Sequence, residues 1–292
     1  MRELRGMPVV KAMNAALKPE IEALKEKGIV PTLAILRVGE RGDDLSYERA
    51  AVKRFEKAGA AVRVTALPET CSQDELEAAV DALNRDETVH SVLVFRPLPR
   101  HLSDARICAL LDPAKDADCM TPSQTAALFL GRCACPPCTP QAVLELLDHY
   151  EIPLTGAKVT LIGRSLVVGK PLALLLIGRN ATVTVCHTKT KDLAAECRAA
   201  DIIIAAAGSP RLVGADCVRP GQVVIDVGTN VVDGALCGDV DFDAVSPIVD
   251  ALSPVPGGVG TITTTVLLKN TVTAARRAPG GSGRAAAGNA RP

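Results

Sequence analysis

Short apolar runs bounded by turn residues alternate along the chain with stretches in which apolar residues recur at helical spacing. That is the pattern of parallel strands joined by helical crossovers. In the first half it predicts strands at 30–38, 61–66 and 91–95, with helices at about 45–58 and 72–84 between them. The second helix opens with Ser72 and reaches Glu75 three residues on, so each can satisfy the other's backbone N–H. Another short helix is predicted after Ser103. Residues 136–150 read as a connector: Thr139-Pro140 suits a helix start, and 142–150 carries an apolar face. A second series then places strands at 158–162, 182–186, 201–206 and 222–227, whose near-continuous apolar character fits a parallel sheet covered on both faces. Residues 263–277 form a last predicted helix, and 279–292, mainly Gly, Ala, Pro and Arg without periodicity, have the composition of a disordered tail.

A chain of 292 residues favours two domains, with one large α/β domain the alternative. Hydrophobic residues make up 48% of it and aromatics only 2%, so the core is built from Ala, Val, Leu and Ile. Lys plus Arg and Asp plus Glu balance at 33 each, which gives no field to attract nucleic acid or an anionic membrane. The N-terminus lacks a basic stretch followed by an apolar run, and the apolar segment 172–177 is too short to span a bilayer, so a soluble, cytoplasmic protein is expected. Ten scattered cysteines, mostly within apolar patterns, read as reduced thiols.

The turn Gly163-Arg164-Ser165-Leu166-Val167-Val168-Gly169 lies between a predicted strand and a predicted helix. There, backbone N–H groups and the helix dipole can hold a phosphate, although an ordinary strand-to-helix turn is the competing reading. NAD-binding units usually end the next strand with an acid that takes the ribose 2′-hydroxyl; here it ends Cys186-His187-Thr188-Lys189. With no acid to repel a 2′-phosphate, and Arg164 able to pair with one bidentately, the pattern favours NADP. Ser165, Thr188 and Lys189 offer further donors. His187 reads as a residue that packs or donates to backbone beside the cofactor, not as a catalytic base. Cys133, Cys135 and Cys138 are dense enough to suggest a metal, but no second cysteine pair or nearby histidine completes a tetrahedral set. A loop of reduced thiols, with no metal, is expected.

Gly163-Arg164-Ser165 with Val168-Gly169-Lys170-Pro171, followed by Pro254-Val255-Pro256-Gly257-Gly258-Val259-Gly260, resembles the methylenetetrahydrofolate dehydrogenase/cyclohydrolase family. Ser46-Tyr47, Pro97-Leu98-Pro99, Lys115-Asp116-Ala117-Asp118, Pro137-Cys138-Thr139-Pro140 and Ile225-Asp226-Val227-Gly228 occur in the family's order and approximate spacing. The likeness covers about residues 1–277. It implies a two-domain α/β protein: an N-terminal αβα catalytic, folate-binding domain over 1–138, completed by the helix 263–277, and a Rossmann-type NADP domain with a parallel sheet over 139–262. It further implies a homodimer, with folate in a cleft between the domains. The implied dehydrogenase passes hydride from 5,10-methylenetetrahydrofolate to NADP, and a cyclohydrolase activity converts the methenyl product to 10-formyltetrahydrofolate. Cofactor contacts fall to Gly163, Arg164, Ser165, Val168, Gly169, His187, Thr188 and Thr229. Substrate contacts fall to Tyr47, Asp118, Pro256, Gly257, Gly258 and Gly260, with Tyr47 and Asp118 catalytic.

Hydrolysis in the family depends on a Tyr-x-x-x-Lys pair on one helix face. This chain has Tyr47 but Ala51, and the count to Gly59 leaves no room for a gap. Lys53 lies about 240° around the helix from Tyr47, and Arg54 returns to that face one turn further along. Arg54 is also too basic to accept a proton at neutral pH. Phe95 replaces the glutamine that hydrogen-bonds the lysine, and Arg96 an apolar residue. Losing both partners is coherent, because one buried polar partner left alone would be unsatisfied. From its own context Asp118 reads first as a loop or helix-cap aspartate; the resemblance reverses that order and places it where the family binds the pterin ring. Cys119 replaces a usual glycine, and Thr261-Ile262 a usual Pro-Met. The leading expectation is an NADP-dependent dehydrogenase with weakened or absent cyclohydrolase activity. A bifunctional enzyme with a rebuilt water site, a non-catalytic folate- or NADP-binding protein acting with a partner, and an unrelated NADP dehydrogenase are the alternatives.

Overall fold

The computed structural model describes residues 1–278, so the expected tail lies outside the described residues. The chain divides into two compact units: residues 1–14 together with 118–266, and residues 15–117 together with the chain from Leu267 on.

The chain opens with the short strand β1 (Arg2–Glu3) and the long helix α1 (Gly6–Glu26). The helix has no counterpart among the predicted elements. Its signal was present, since Val9, Val10, Met13, Leu17, Ile21 and Leu24 recur every three or four residues and are all buried. β2 (Thr32–Val38), α2 (Gly42–Ala58), β3 (Ala61–Leu67), α3 (Gln73–Arg85), β4 (Ser91–Val94) and α4 (Asp104–Leu110) follow. β2 lies between β3 and β4 in a three-stranded sheet, parallel to both. It begins two residues later than expected, after Pro31, which has no N–H for the ladder. The Ser72–Glu75 reciprocal cap forms as read: Glu75 N donates to Ser72 Oγ at 3.2 Å, and Ser72 N donates to Glu75 Oε2 at 2.7 Å. α2 ends at Gly59, which adopts a φ of 78°.

The other unit holds α5 (Pro122–Phe129), α6 (Cys138–His149), β5 (Lys158–Ile162), α7 (Gly169–Gly178), β6 (Thr182–Cys186), α8 (Leu193–Arg198), β7 (Ile202–Ala205) and β8 (Val223–Asp226). The hairpin β9 (Asn230–Val232) and β10 (Ala235–Cys237), then α9 (Phe242–Val245) and β11 (Ala251–Leu252), come next. The last helix, α10 (Thr263–Arg277), starts in this unit and ends in the other. Its six-stranded sheet is parallel throughout, in the order β1-β11-β8-β7-β5-β6. Ile203, Ala205, Val224 and Leu252 pack there with Cys197, Val213 and Val245. β6 corrects the expectation of a sheet covered on both faces: it is an edge strand, and Thr182, Thr184 and Val185 are exposed. Among the described residues no helix is long and apolar enough to cross a membrane.

Candidate active site

In the six-stranded unit, β5 is flanked by β6 on one side and β7 on the other, so successive crossovers leave it in opposite directions. A crevice opens at such a reversal beyond the carboxyl ends of the strands, the usual ligand position in open parallel sheets. The turn 163–169 sits there. Gly163 has a φ of 126°, and a Cβ on it would lie 2.8 Å from the Ala206 carbonyl carbon. A Cβ on Gly169 would lie 2.6 Å from the Gly163 carbonyl carbon and 2.7 Å from Arg164 Cα. Backbone thus fills the places where side chains would go. Ser165 Oγ accepts hydrogen bonds from Val168 N at 3.1 Å and Gly169 N at 3.3 Å, tying the turn to the start of α7. Arg164 and Ser165 are exposed and Val168 half-buried. A glycine-shaped turn, a helix N-terminus and an exposed guanidinium fit the phosphates of NADP.

Beyond β6, His187 is half-buried and Thr188 and Lys189 are exposed. His187 Nδ1 accepts a hydrogen bond from Lys189 N at 3.1 Å, which corrects the expected donation to backbone. The loop is held further by His187 N donating to Thr190 Oγ1 at 2.9 Å. Thr229 is exposed after β8.

Two carboxylates absent from the expected site organise the loops beside this turn. Asp239 is fully buried and accepts from three successive backbone N–H groups after β7: Ala207 at 2.6 Å, Gly208 at 2.9 Å and Ser209 at 2.8 Å. Asn230 Nδ2 adds a fourth donor at 2.9 Å. Asp226, at the end of β8, accepts from the N–H groups of Gly228 at 2.9 Å, Asp239 at 3.0 Å and Val240 at 2.9 Å. Burial pushes the Asp226 carboxyl up to about 6, against the pull of those three donors. The motif containing Asp226 was visible, but its partners were not.

Asp118 is half-buried, and its Oδ1 accepts from Cys138 N, the first residue of α6, at 2.7 Å. It thus holds the start of α6 from 20 residues away, a partner that its own sequence context did not name. In the Pro-Gly run, Gly6 N donates to Gly257 O at 2.8 Å, and a Cβ on Gly258 would lie 2.5 Å from Pro254 O. Backbone packing accounts for glycine at 258, and a φ of 107° for glycine at 257. Pro256 and Gly260 are exposed, and nothing lies within 4 Å of where a Gly260 Cβ would be.

Tyr47 belongs to the three-stranded unit and is half-buried on α2. Its ring meets Phe95 edge-on, with centroids 5.9 Å apart and an interplanar angle of 80°. Ala51 is completely buried. An apolar contact and a methyl group thus stand where the resemblance calls for a hydrogen-bonded Gln–Lys pair. Arg96 donates to Asp104 Oδ2 at 3.2 Å. Arg54 Nε is buried with no hydrogen-bond partner among the described residues, and burial lowers the pKa of this guanidinium from its ordinary value. Among the described residues, no cluster of His, Cys, Asp and Glu is arranged to hold a metal ion.

A parallel sheet that reverses order at β5, with a glycine-bounded turn into a helix, defines a dinucleotide-binding α/β protein of the doubly wound class. Residues 137–279 match the NAD(P)-binding domain of tetrahydrofolate dehydrogenase/cyclohydrolase, and residues 4–118 match its catalytic domain. The chain belongs to the tetrahydrofolate dehydrogenase/cyclohydrolase family. It is 48% identical over 275 residues to the bifunctional protein FolD of Carboxydothermus hydrogenoformans, covering 93% of this chain and 96% of that relative. The crystal structure of the bifunctional FolD enzyme from Campylobacter jejuni superposes with a TM-score of 0.92 at 41% identity, covering 94% of this chain and 99% of that one. The FolD enzyme of Trypanosoma brucei, crystallised with NADP and an inhibitor, gives 0.89 at 38% identity, covering 94% and 96%.

Proposed function

We propose that this chain oxidises 5,10-methylenetetrahydrofolate to 5,10-methenyltetrahydrofolate with NADP as acceptor, and that its hydrolysis of the methenyl product is weakened or absent. Family membership and the bifunctional relatives support the dehydrogenase half. Bound NADP supplies the hydride acceptor. The residues that would hold it are Gly163, Arg164, Ser165, Val168 and Gly169 in the turn, with His187, Thr188 and Thr229 beyond the neighbouring strands. Arg164 pairs with the 2′-phosphate, and Asp239 keeps the 207–209 backbone in place beside the turn.

On the folate side, Asp118 accepts hydrogen bonds from the amino and ring N–H groups of the pterin. Tyr47, Pro256, Gly257, Gly258 and Gly260 complete the substrate contacts. Loss of hydride leaves positive charge on the one-carbon bridge, so alignment and tolerance of that cation are the protein's main tasks. Hydrolysis asks for more: water must reach the bridge carbon, and a positioned group near neutral pKa must move its proton.

The contact between Phe95 and Tyr47, with Ala51 buried on the same helix as Tyr47, carries the reading of weakened hydrolysis. Neither the Phe95 ring nor the Ala51 methyl can exchange a proton. In the decisive experiment, purified protein reduces NADP when given methylenetetrahydrofolate, while methenyltetrahydrofolate decays at the same rate with and without it. No NADP reduction would refute the dehydrogenase assignment. The unpartnered Arg54 Nε favours a second reading, in which that donor orders water and hydrolysis is retained; enzyme-dependent decay of the methenyl compound would establish it. The family resemblance also supports a homodimer, checked by light scattering; a cytoplasmic location is part of the same proposal and is checked by cell fractionation.

A further inference from the structure

We propose that Cys119 and Cys133 are a reactive thiol pair, which a small disulfide compound converts to an intramolecular disulfide that weakens folate binding through Asp118. Cys133 Sγ lies 3.8 Å from Cys119 Sγ and 3.6 Å from Gln124 Oε1. A disulfide needs about 2.05 Å between the sulfurs, so closure asks for an approach of roughly 2 Å, within reach of side-chain rotation and a small loop shift. Cys119 occupies a position where the resemblance calls for glycine, and its φ of 56° is one that side chains rarely adopt. The thiol is therefore present despite a backbone suited to having none.

The two cysteines lie on the segments that set Asp118. Cys119 follows Asp118 directly. Cys133 lies in the loop leading into α6, whose first N–H, that of Cys138, rests on Asp118 Oδ1. A bridge would pull those segments together and move the carboxylate. Cys133 is half-buried, so a small reagent can reach it, and Cys119 is buried.

The exchange balances with a disulfide compound RSSR as oxidant. The Cys133 thiolate attacks one sulfur of RSSR and expels the first RS⁻, leaving a mixed disulfide. The Cys119 thiolate then attacks the Cys133 sulfur and expels the second. The two cysteines lose two electrons and two protons, and the reagent leaves as two RSH. The effect on folate rests on the proposed role of Asp118, whereas the cross-link does not.

The test treats the full chain with oxidised glutathione, maps the peptides by mass spectrometry, and measures KM for both substrates before and after. A cross-link between the peptides containing Cys119 and Cys133, two hydrogens lighter than the dithiol and reversed by dithiothreitol, is the expected product. The KM for methylenetetrahydrofolate should rise roughly tenfold to a hundredfold, the effect of an ångström-scale misplacement, while that for NADP stays within twofold. Cys133→Ser and Cys119→Gly should each abolish both the cross-link and the change. No Cys119–Cys133 cross-link, or a dominant bridge from Cys133 to Cys135 or Cys138, would overturn the proposal, and so would a cross-linked protein with unchanged folate KM. If the reduced protein shows no dehydrogenase activity, the proposed function fails on its own. The cross-link map and calorimetric folate affinity, expected to fall by the same factor, then decide the thiol pair.

Discussion

The turn at 163–169 and the surroundings of Tyr47 hold their chemistry by different means. In the turn, the recognition surface is backbone: N–H groups at the start of α7, with Gly163 and Gly169 packed so closely against other main-chain atoms that a Cβ has no place. Around Tyr47 the decisive groups are side chains, and there the family resemblance calls for a polar pair. Ala51 and Phe95 stand at those positions, where α2 runs unbroken to Gly59 and β4 pairs with β2 in regular register. A site made of backbone persists as long as the fold does. One made of side chains can be exchanged inside the same fold, provided buried polar partners leave together.

The largest effect that would break this comparison is expected from Gly169→Ala. Its methyl group would collide with main chain that cannot turn aside, at a cost of about 3 kcal/mol in thermal unfolding and at least roughly a hundredfold in NADP affinity by calorimetry. Normal NADP binding by this variant would show that the turn is not built as described.

Ala51→Lys combined with Phe95→Gln addresses the other region and should raise enzyme-dependent decay of methenyltetrahydrofolate by about a hundredfold, the usual contribution of a positioned proton-transfer group. Ala51→Lys alone would place an ammonium at a fully buried position without its partner and should lower stability instead. No gain in the double variant would place the altered hydrolysis elsewhere in the chain.

Asp226 joins the two modes, since a titrating side chain there supports a backbone surface. Its folded pKa of about 6 lies above the ordinary carboxylate value of 3.8, so between those pH values the folded state holds the proton more firmly than the unfolded one. The contribution of this group to stability therefore falls as pH rises through that window and is level above about 6. Denaturant titrations should show about 3 kcal/mol of stability change across that window disappearing in Asp226→Asn. The smallest effect belongs to Arg164→Ala: the exposed guanidinium should contribute about a tenfold preference for NADP over NAD, read as the ratio of kcat/KM values.

Much of this architecture was legible because its signals are local. The strand at 158–162, the Ser72–Glu75 cap and the glycines at 163 and 169 involve residues within a turn or two of each other. The first helix was legible too, through the spacing of Val9, Met13, Leu17 and Ile21, and was missed. Asp239 could not have been found this way. Its partners at 207–209 lie about 30 residues away, and nothing in the run Gly238-Asp239-Val240 announces which backbone it will hold. The cap from Asp118 to Cys138 spans 20 positions and is hidden for the same reason.

By itself, the sequence determined the alternation of strands and helices, the nucleotide turn, the family, and the presence of Ala51 and Phe95 where the resemblance calls for a lysine and a glutamine. All of these follow from residue identity and short spacing, where each element's own periodicity and steric limits decide the outcome. Only the tertiary structure decided that Phe95 packs edge-on against Tyr47, that Asp239 gathers three N–H groups beside the turn, and that Cys119 and Cys133 meet. Such contacts form when folding closes loops of tens of residues, and which loops close depends on how the sheets and helices pack as a whole.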